Sequence, residues 1–92
     1  MNWLECIGPG WHSIVTPVLQ EIEKRGLKIL QVKEKFGGLR IYYSPIDKEI
    51  DKLIMKAEEQ CAHVCEECGK PAKLSSKNHW LKTVCEEHDN RT

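Results

Sequence analysis

The chain has no excess of charge of either sign: fourteen Lys and Arg are balanced by fourteen Asp and Glu. A molecule without net charge lacks the field that gathers nucleic acid indiscriminately, so any bound anion must be held by a local cluster. No apolar run approaches the ~20 residues needed to span a bilayer as a helix, and no membrane is expected as a partner. The opening Met1-Asn2-Trp3-Leu4-Glu5 has no cationic segment followed by an apolar run, which makes a reducing cytoplasm the expected compartment. There is no Ser-His-Asp set, Walker loop or His-Glu-x-x-His motif to carry familiar chemistry. The five cysteines are odd in number, which suits a disulfide framework poorly.

What remains is one small domain, 1–92, with 40% hydrophobic residues. That size is near the lower limit at which a hydrophobic core suffices by itself, so a staple is expected. The cysteines supply it. Cys65-Glu66-Glu67-Cys68-Gly69 and Cys85-Glu86-Glu87-His88 are two chelating pairs, with sixteen residues between Cys68 and Cys85, the spacing of a zinc ribbon. Thiolates separated by two residues can reach one tetrahedral ion, and Gly69 lets the backbone turn behind the second sulfur. Cys65, Cys68, Cys85 and His88 would close the coordination sphere of a structural Zn2+ and leave no position for an activated water. Cys61 fits the apolar face of a preceding helix and reads as a core thiol. His63 and His79 read as surface residues, with Trp80 and Leu81 packing the knuckle against the helices.

The breaks at Gly8-Pro9-Gly10, Gly26, Gly37-Gly38 and Ser44-Pro45 divide the remainder, 1–64, into helix, β-hairpin and helix ahead of the zinc-binding part, 65–92, an α+β arrangement. Trp11, Ile14, Val15, Val18, Leu19 and Ile22 recur at three- and four-residue spacing, and Gly26 ends that helix. Pro17 either kinks it or opens a shorter helix capped by Thr16. The second helix is expected to start with Ser44 as N-cap, Pro45 at the first helical position and Asp47 capping, with Ile46, Ile50, Leu53, Ile54, Ala57, Cys61 and Val64 on its buried face.

Leu27 to Tyr43 reads as a hairpin with Gly37-Gly38 as its loop. That loop pairs Phe36 with Leu39, Lys35 with Arg40, Lys33 with Tyr42 and Val32 with Tyr43. Alternation puts Leu30, Val32, Phe36, Leu39, Ile41 and Tyr43 on a core face, and Lys33, Lys35, Arg40 and Tyr42 on the other. Like charges opposed across strands are destabilising, and an anion between them would relieve the cost. Tyr42 adds a surface on which a base could stack. The alternative is a solvated strand face. Two strands are marginal alone, so a helix must cover them or a homodimer extend them.

The strings Gly10-Trp11, Val32-Lys33-Glu34-Lys35-Phe36-Gly37-Gly38-Leu39-Arg40-Ile41-Tyr42, Cys65-Glu66-Glu67-Cys68-Gly69 and Trp80 through His88 together resemble a family of small, mostly uncharacterised zinc-binding proteins of bacteriophages and prophages. The resemblance brings no activity. It implies an accessory protein acting in the host cytosol on host machinery, phage nucleic acid or a signalling nucleotide. The expectation is therefore a non-enzymatic module binding nucleic acid or a nucleotide through Lys33, Lys35, Arg40 and Tyr42. A protein–protein inhibitor or adaptor anchored on Trp3, Trp11 or Trp80, and a thiol enzyme built on Cys6 and His12, are the alternatives.

Overall fold

The computed structural model describes residues 3–77 and 80–88. Short 3-10 turns at Trp3–Cys6 and Pro9–Trp11 lead into helix α1, His12–Lys24, followed by strands β1, Lys28–Lys35, and β2, Gly38–Ser44. Helix α2, Lys48–Cys61, leads to the first ligand pair. Between the ligand pairs, strands β3, Lys73–Lys77, and β4, Trp80–Val84, pair antiparallel, before a 3-10 turn at Glu86–His88. No helix among the described residues is long and apolar enough to cross a membrane. His79 lies outside the described residues.

Helix α1 buries Val15, Val18, Leu19 and Ile22. It runs on through Pro17, and Thr16 does not cap a shorter helix; its hydroxyl donates back to the His12 carbonyl at 2.7 Å. At the far end Gly26 has φ +73°, the Leu27 N–H reaches the Ile22 carbonyl, and the Gly26 N–H reaches that of Glu23. This 6→1 and 5→2 pair is a Schellman stop, which needs a left-handed residue and therefore favours glycine.

Helix α2 begins later than its sequence signals suggest. Ser44 ends β2, and Asp47 is the N-cap, accepting from the N–H groups of Glu49 and Ile50. These donors, Ile50 first, hold the Asp47 carboxyl below its ordinary range. Ile46, placed before the cap instead of on the helical face, is 84% exposed. The stripe Ile50, Ile54, Ala57 and Cys61 is buried as the spacing predicts.

The β1–β2 hairpin turns one residue earlier than the paired glycines imply. Lys35 faces Gly38, so the loop is Phe36-Gly37, both with positive φ, the backbone that suits the strand twist in a two-residue hairpin. The register becomes Glu34↔Leu39, Lys33↔Arg40, Val32↔Ile41 and Gln31↔Tyr42. Lys33, not Lys35, therefore stands opposite Arg40, and Tyr42 faces Gln31. A bulge between Ile29 and Gln31 turns Ile29 inward and leaves Leu30 51% exposed. Phe36, expected in the core, is 67% exposed at the turn. Ile29, Val32, Leu39 and Ile41 join Trp11 and the helical stripes in one core, so helices cover one face of the sheet.

Candidate metal centre

Cys65 and Cys68 sit on a tight turn after α2. The Cys65 carbonyl accepts from the Gly69 N–H at 2.9 Å, and the Cys65 N–H donates to the Lys70 carbonyl at 2.8 Å. Gly69 takes φ +86°, which a side chain would oppose. Cys85 directly follows β4, and the turn closed by the His88 N–H on the Cys85 carbonyl at 3.1 Å brings the imidazole back. Val64 bridges Pro71 and closes the loop of the first pair, and the Glu66 N–H, donating to the Thr83 carbonyl at 3.0 Å, holds the two ligand pairs together.

The structure gathers all four predicted ligands. The sulfurs of Cys65, Cys68 and Cys85 and a ring nitrogen of His88 all lie within 4.8 Å of one another. Cys68 Sγ stands 3.6 Å from Cys85 Sγ, and His88 Nδ1 stands 3.6 Å from Cys65 Sγ and 3.3 Å from Cys85 Sγ. Ligands at zinc distances of ~2.1–2.3 Å on a tetrahedron are separated by about 3.5–3.8 Å. The donor set and its spacing thus fit one tetrahedral metal ion.

The local electrostatics prepare these donors. The contact with His88 pulls the Cys85 thiol down to about 6 and raises the His88 imidazole. Burial acts to raise the Cys65 thiol, yet the N–H groups of Cys85, Cys68 and Glu67 hold it below its ordinary value. At Cys68 the Lys70 N–H favours the thiolate, but desolvation and the neighbouring sulfurs leave the thiol raised. Cys61 is different: it is fully buried in the main core, and burial pushes its thiol up to about 12. It is no part of the cluster, and neither is His63, which is exposed.

Two junctions fasten this knuckle to the rest of the chain, and both involve residues whose role was not evident in the sequence. On one side the Gly10 N–H donates to the Glu66 carbonyl at 2.9 Å and Trp11 Nε1 to the Val64 carbonyl at 2.8 Å. A Cβ at Gly10 would overlap the Cys65 carbonyl and crowd the N–H groups of Cys68 and Gly69; one at Gly8 would overlap the Glu66 carbonyl. On the other side the Thr83 hydroxyl meets the Gly37 carbonyl at the hairpin tip. Leu81 is only half-buried.

Glu66, inside the Cys-x-x-Cys spacer, is buried, and its Oε2 has no partner among the described residues. Lys82 reaches its other oxygen at 3.3 Å and Glu67 at 3.0 Å. Burial raises the Glu66 carboxyl, and Lys82 opposes that rise.

The predicted anion-binding residues share the outer face of the first hairpin. Lys33 lies with its ammonium 5.8 Å from the centroid of the Tyr42 ring, and Arg40 Nη1 donates to the Leu39 carbonyl at 3.3 Å. Among the described residues no carboxylate is in ion-pair distance of Lys33, Lys35 or Arg40, whereas Arg25 is paired with Glu21 and Asp47. Elsewhere, Cys6 is exposed and His12 Nε2 stands 3.3 Å from the Ile7 carbonyl; no hydrogen bond joins Cys6 to His12. Trp11 is fully buried and is not available as a partner anchor. Comparison of the chain with family models, curated proteins and solved structures finds no match.

Proposed function

We propose that the chain is a non-enzymatic binding module in which a structural zinc ion holds the C-terminal knuckle together and the outer face of the first hairpin engages an anionic partner, nucleic acid or a nucleotide. Cys65, Cys68, Cys85 and His88 would be its ligands. Three thiolates and an imidazole favour zinc over the hard, oxygen-seeking cations, and four protein donors leave no open position for catalysis. Bound there, zinc supplies folding free energy and no reaction.

The observation that carries the binding reading is the direct opposition of Lys33 and Arg40 across the strands, with Lys35 beside them and no carboxylate paired to any of the three among the described residues. Folding gains nothing from opposing these cations, and an anion would turn repulsion into attraction. The resemblance to phage accessory proteins agrees with a small binder acting in a host cytosol. An adaptor for a host protein is the weaker reading, because Trp11 belongs to the core.

The test is binding of the zinc-loaded protein to nucleic acid at two salt concentrations, with Lys33→Ala/Arg40→Ala as the control. Affinity that falls with salt, and a shallower salt dependence in the double variant, are expected when phosphates are the contacts. Binding that ignores both salt and the two substitutions refutes the assignment of this face.

A further inference from the structure

Phe36 occupies a position that the fold alone does not favour. Its backbone is left-handed, with φ +54°, and its ring is 67% exposed. At this place in a two-residue hairpin loop, asparagine or glycine meets the required backbone with less strain than a bulky side chain. A ring that is both strained and left in water is the kind of local conflict that marks a site of use.

The rest of the face shows what the use is. Tyr42, 44% exposed, lies toward the far end of the same hairpin. Between the two aromatics come Lys35, facing Gly38, and the opposed pair Lys33 and Arg40. At a strand rise of ~3.3 Å per residue, Gly38 at the tip and Tyr42 are about 13 Å apart. Each ring has its own cation: Lys35 Nζ is 5.6 Å from the Phe36 centroid, and Lys33 Nζ is 5.8 Å from that of Tyr42. Glu34, the nearest acid in sequence, is turned to the loop, where its Oε2 accepts the Gly37 N–H at 2.7 Å.

We propose that this face takes single-stranded nucleic acid, with bases stacked on Phe36 and Tyr42 and the phosphates between them on Lys33, Lys35 and Arg40. The inference rests on the anion-binding reading above and narrows it. A duplex keeps its bases stacked on one another and would leave both rings idle. A single nucleotide would engage one ring and leave the other unused. A flexible strand can use two separated platforms and the charges between them, the combination by which sequence-tolerant single-strand binders work.

The experiment is fluorescence anisotropy of the full, zinc-loaded chain with three probes: a labelled oligothymidylate long enough to reach both rings, a labelled duplex of equal length, and thymidine monophosphate as competitor. The single strand is expected to bind roughly tenfold tighter than the duplex, and Phe36→Asn and Tyr42→Ala each to weaken it about fivefold or more, the lower end for one base–aromatic stack. Phe36→Asn should melt no lower than the parent, because asparagine accepts the left-handed backbone. Equal affinity for single strand and duplex, or ring variants that bind as the parent does, would overturn the single-strand inference; if Lys33→Ala/Arg40→Ala still weakened binding, the cationic-face reading would survive it. A lower melting temperature for Phe36→Asn would give the ring a folding role and remove the argument. Failure of all three probes to bind would overturn both readings.

Discussion

Thr83 donates its hydroxyl to the carbonyl of Gly37 at 2.6 Å, joining the C-terminal knuckle to the tip of a hairpin 46 residues away in the chain. Thr83 is 1% exposed, so water cannot replace that bond. Thr83→Val keeps the shape and orphans a buried acceptor, which should cost about 1–3 kcal/mol. Gly37→Ala should cost more, because Gly37 has φ +80° and an added Cβ would overlap Leu74 and stand 3.3 Å from the Lys82 backbone. Gly38→Ala is the control, as a Cβ there finds only ordinary contacts at 3.5 and 3.6 Å. Denaturant melts of the three variants at saturating zinc check the order.

Removal of the metal should unfold the knuckle, since its folding and metal binding share one free energy. Substitution of Cys65, Cys68, Cys85 or His88 should lower zinc content below one per chain, whereas Cys61→Ala should keep full zinc and lose about 1 kcal/mol from a small core cavity. Cobalt replacement, followed by the visible bands of a tetrahedral thiolate site, reads the two outcomes apart. A Cys61→Ala protein without cobalt bands would contradict the assignment of this thiol to the core.

Acid should release the ion. The Cys85 pKa is lowered to about 6, so its thiolate is present above that value and is lost as the pH falls through it. Proton competition should therefore weaken zinc binding as the pH falls, and most steeply below about pH 6, where Cys85 joins the ligands that are protonated. Cys68 is shifted the other way, upward from an already alkaline thiol, so near neutrality it retains a proton that a metal must displace; His88 is shifted upward as well. Zinc uptake by metal-free protein in weak buffer should accordingly acidify the solution, and a pH indicator measures it.

Gly10→Ala should be among the most damaging single changes outside the ligands. Its methyl group would meet backbone atoms of Cys65, Cys68 and Gly69, none of which can move without disturbing the metal turn. The expected result is weaker zinc retention against a competing chelator, although residue 10 is no ligand. Gly26→Ala, with φ +73° but open space around it, should lower the melting temperature and leave zinc retention unchanged.

Much of this arrangement was legible because its signals are local. Ligand spacing marked the four donors, and helical periodicity marked Val15 through Ile22 and Ile50 through Cys61. The hairpin is more instructive. Moving its loop back by one residue changes every cross-strand partner by two, so the alternation of faces survives: Val32, Leu39 and Ile41 are buried, while Lys33, Arg40 and Tyr42 remain outside the core. What two adjacent glycines could not reveal is which of them the turn requires. Gly37 takes φ +80° and lies against Leu74 and the Lys82 backbone, whereas Gly38 has neither constraint. The bulge at Leu30 was hidden for a simpler reason: Ile29 and Leu30 suit a core equally by residue type. Ile46 was misplaced because the cap proved to be Asp47 and not Ser44.

The docking of Gly10 and Trp11 onto the metal turn also sets a timetable for synthesis. Chains leave the ribosome N-terminus first, and a domain generally folds as a unit. Here Trp11 needs the Val64 carbonyl and Gly10 needs that of Glu66, and the turn bearing both is fixed only when Cys85 and His88 have emerged. An emerging chain must carry Trp11 without its final seat until the second ligand pair has been made, so the junction at the start of α1 is among the last parts of the described fold to close.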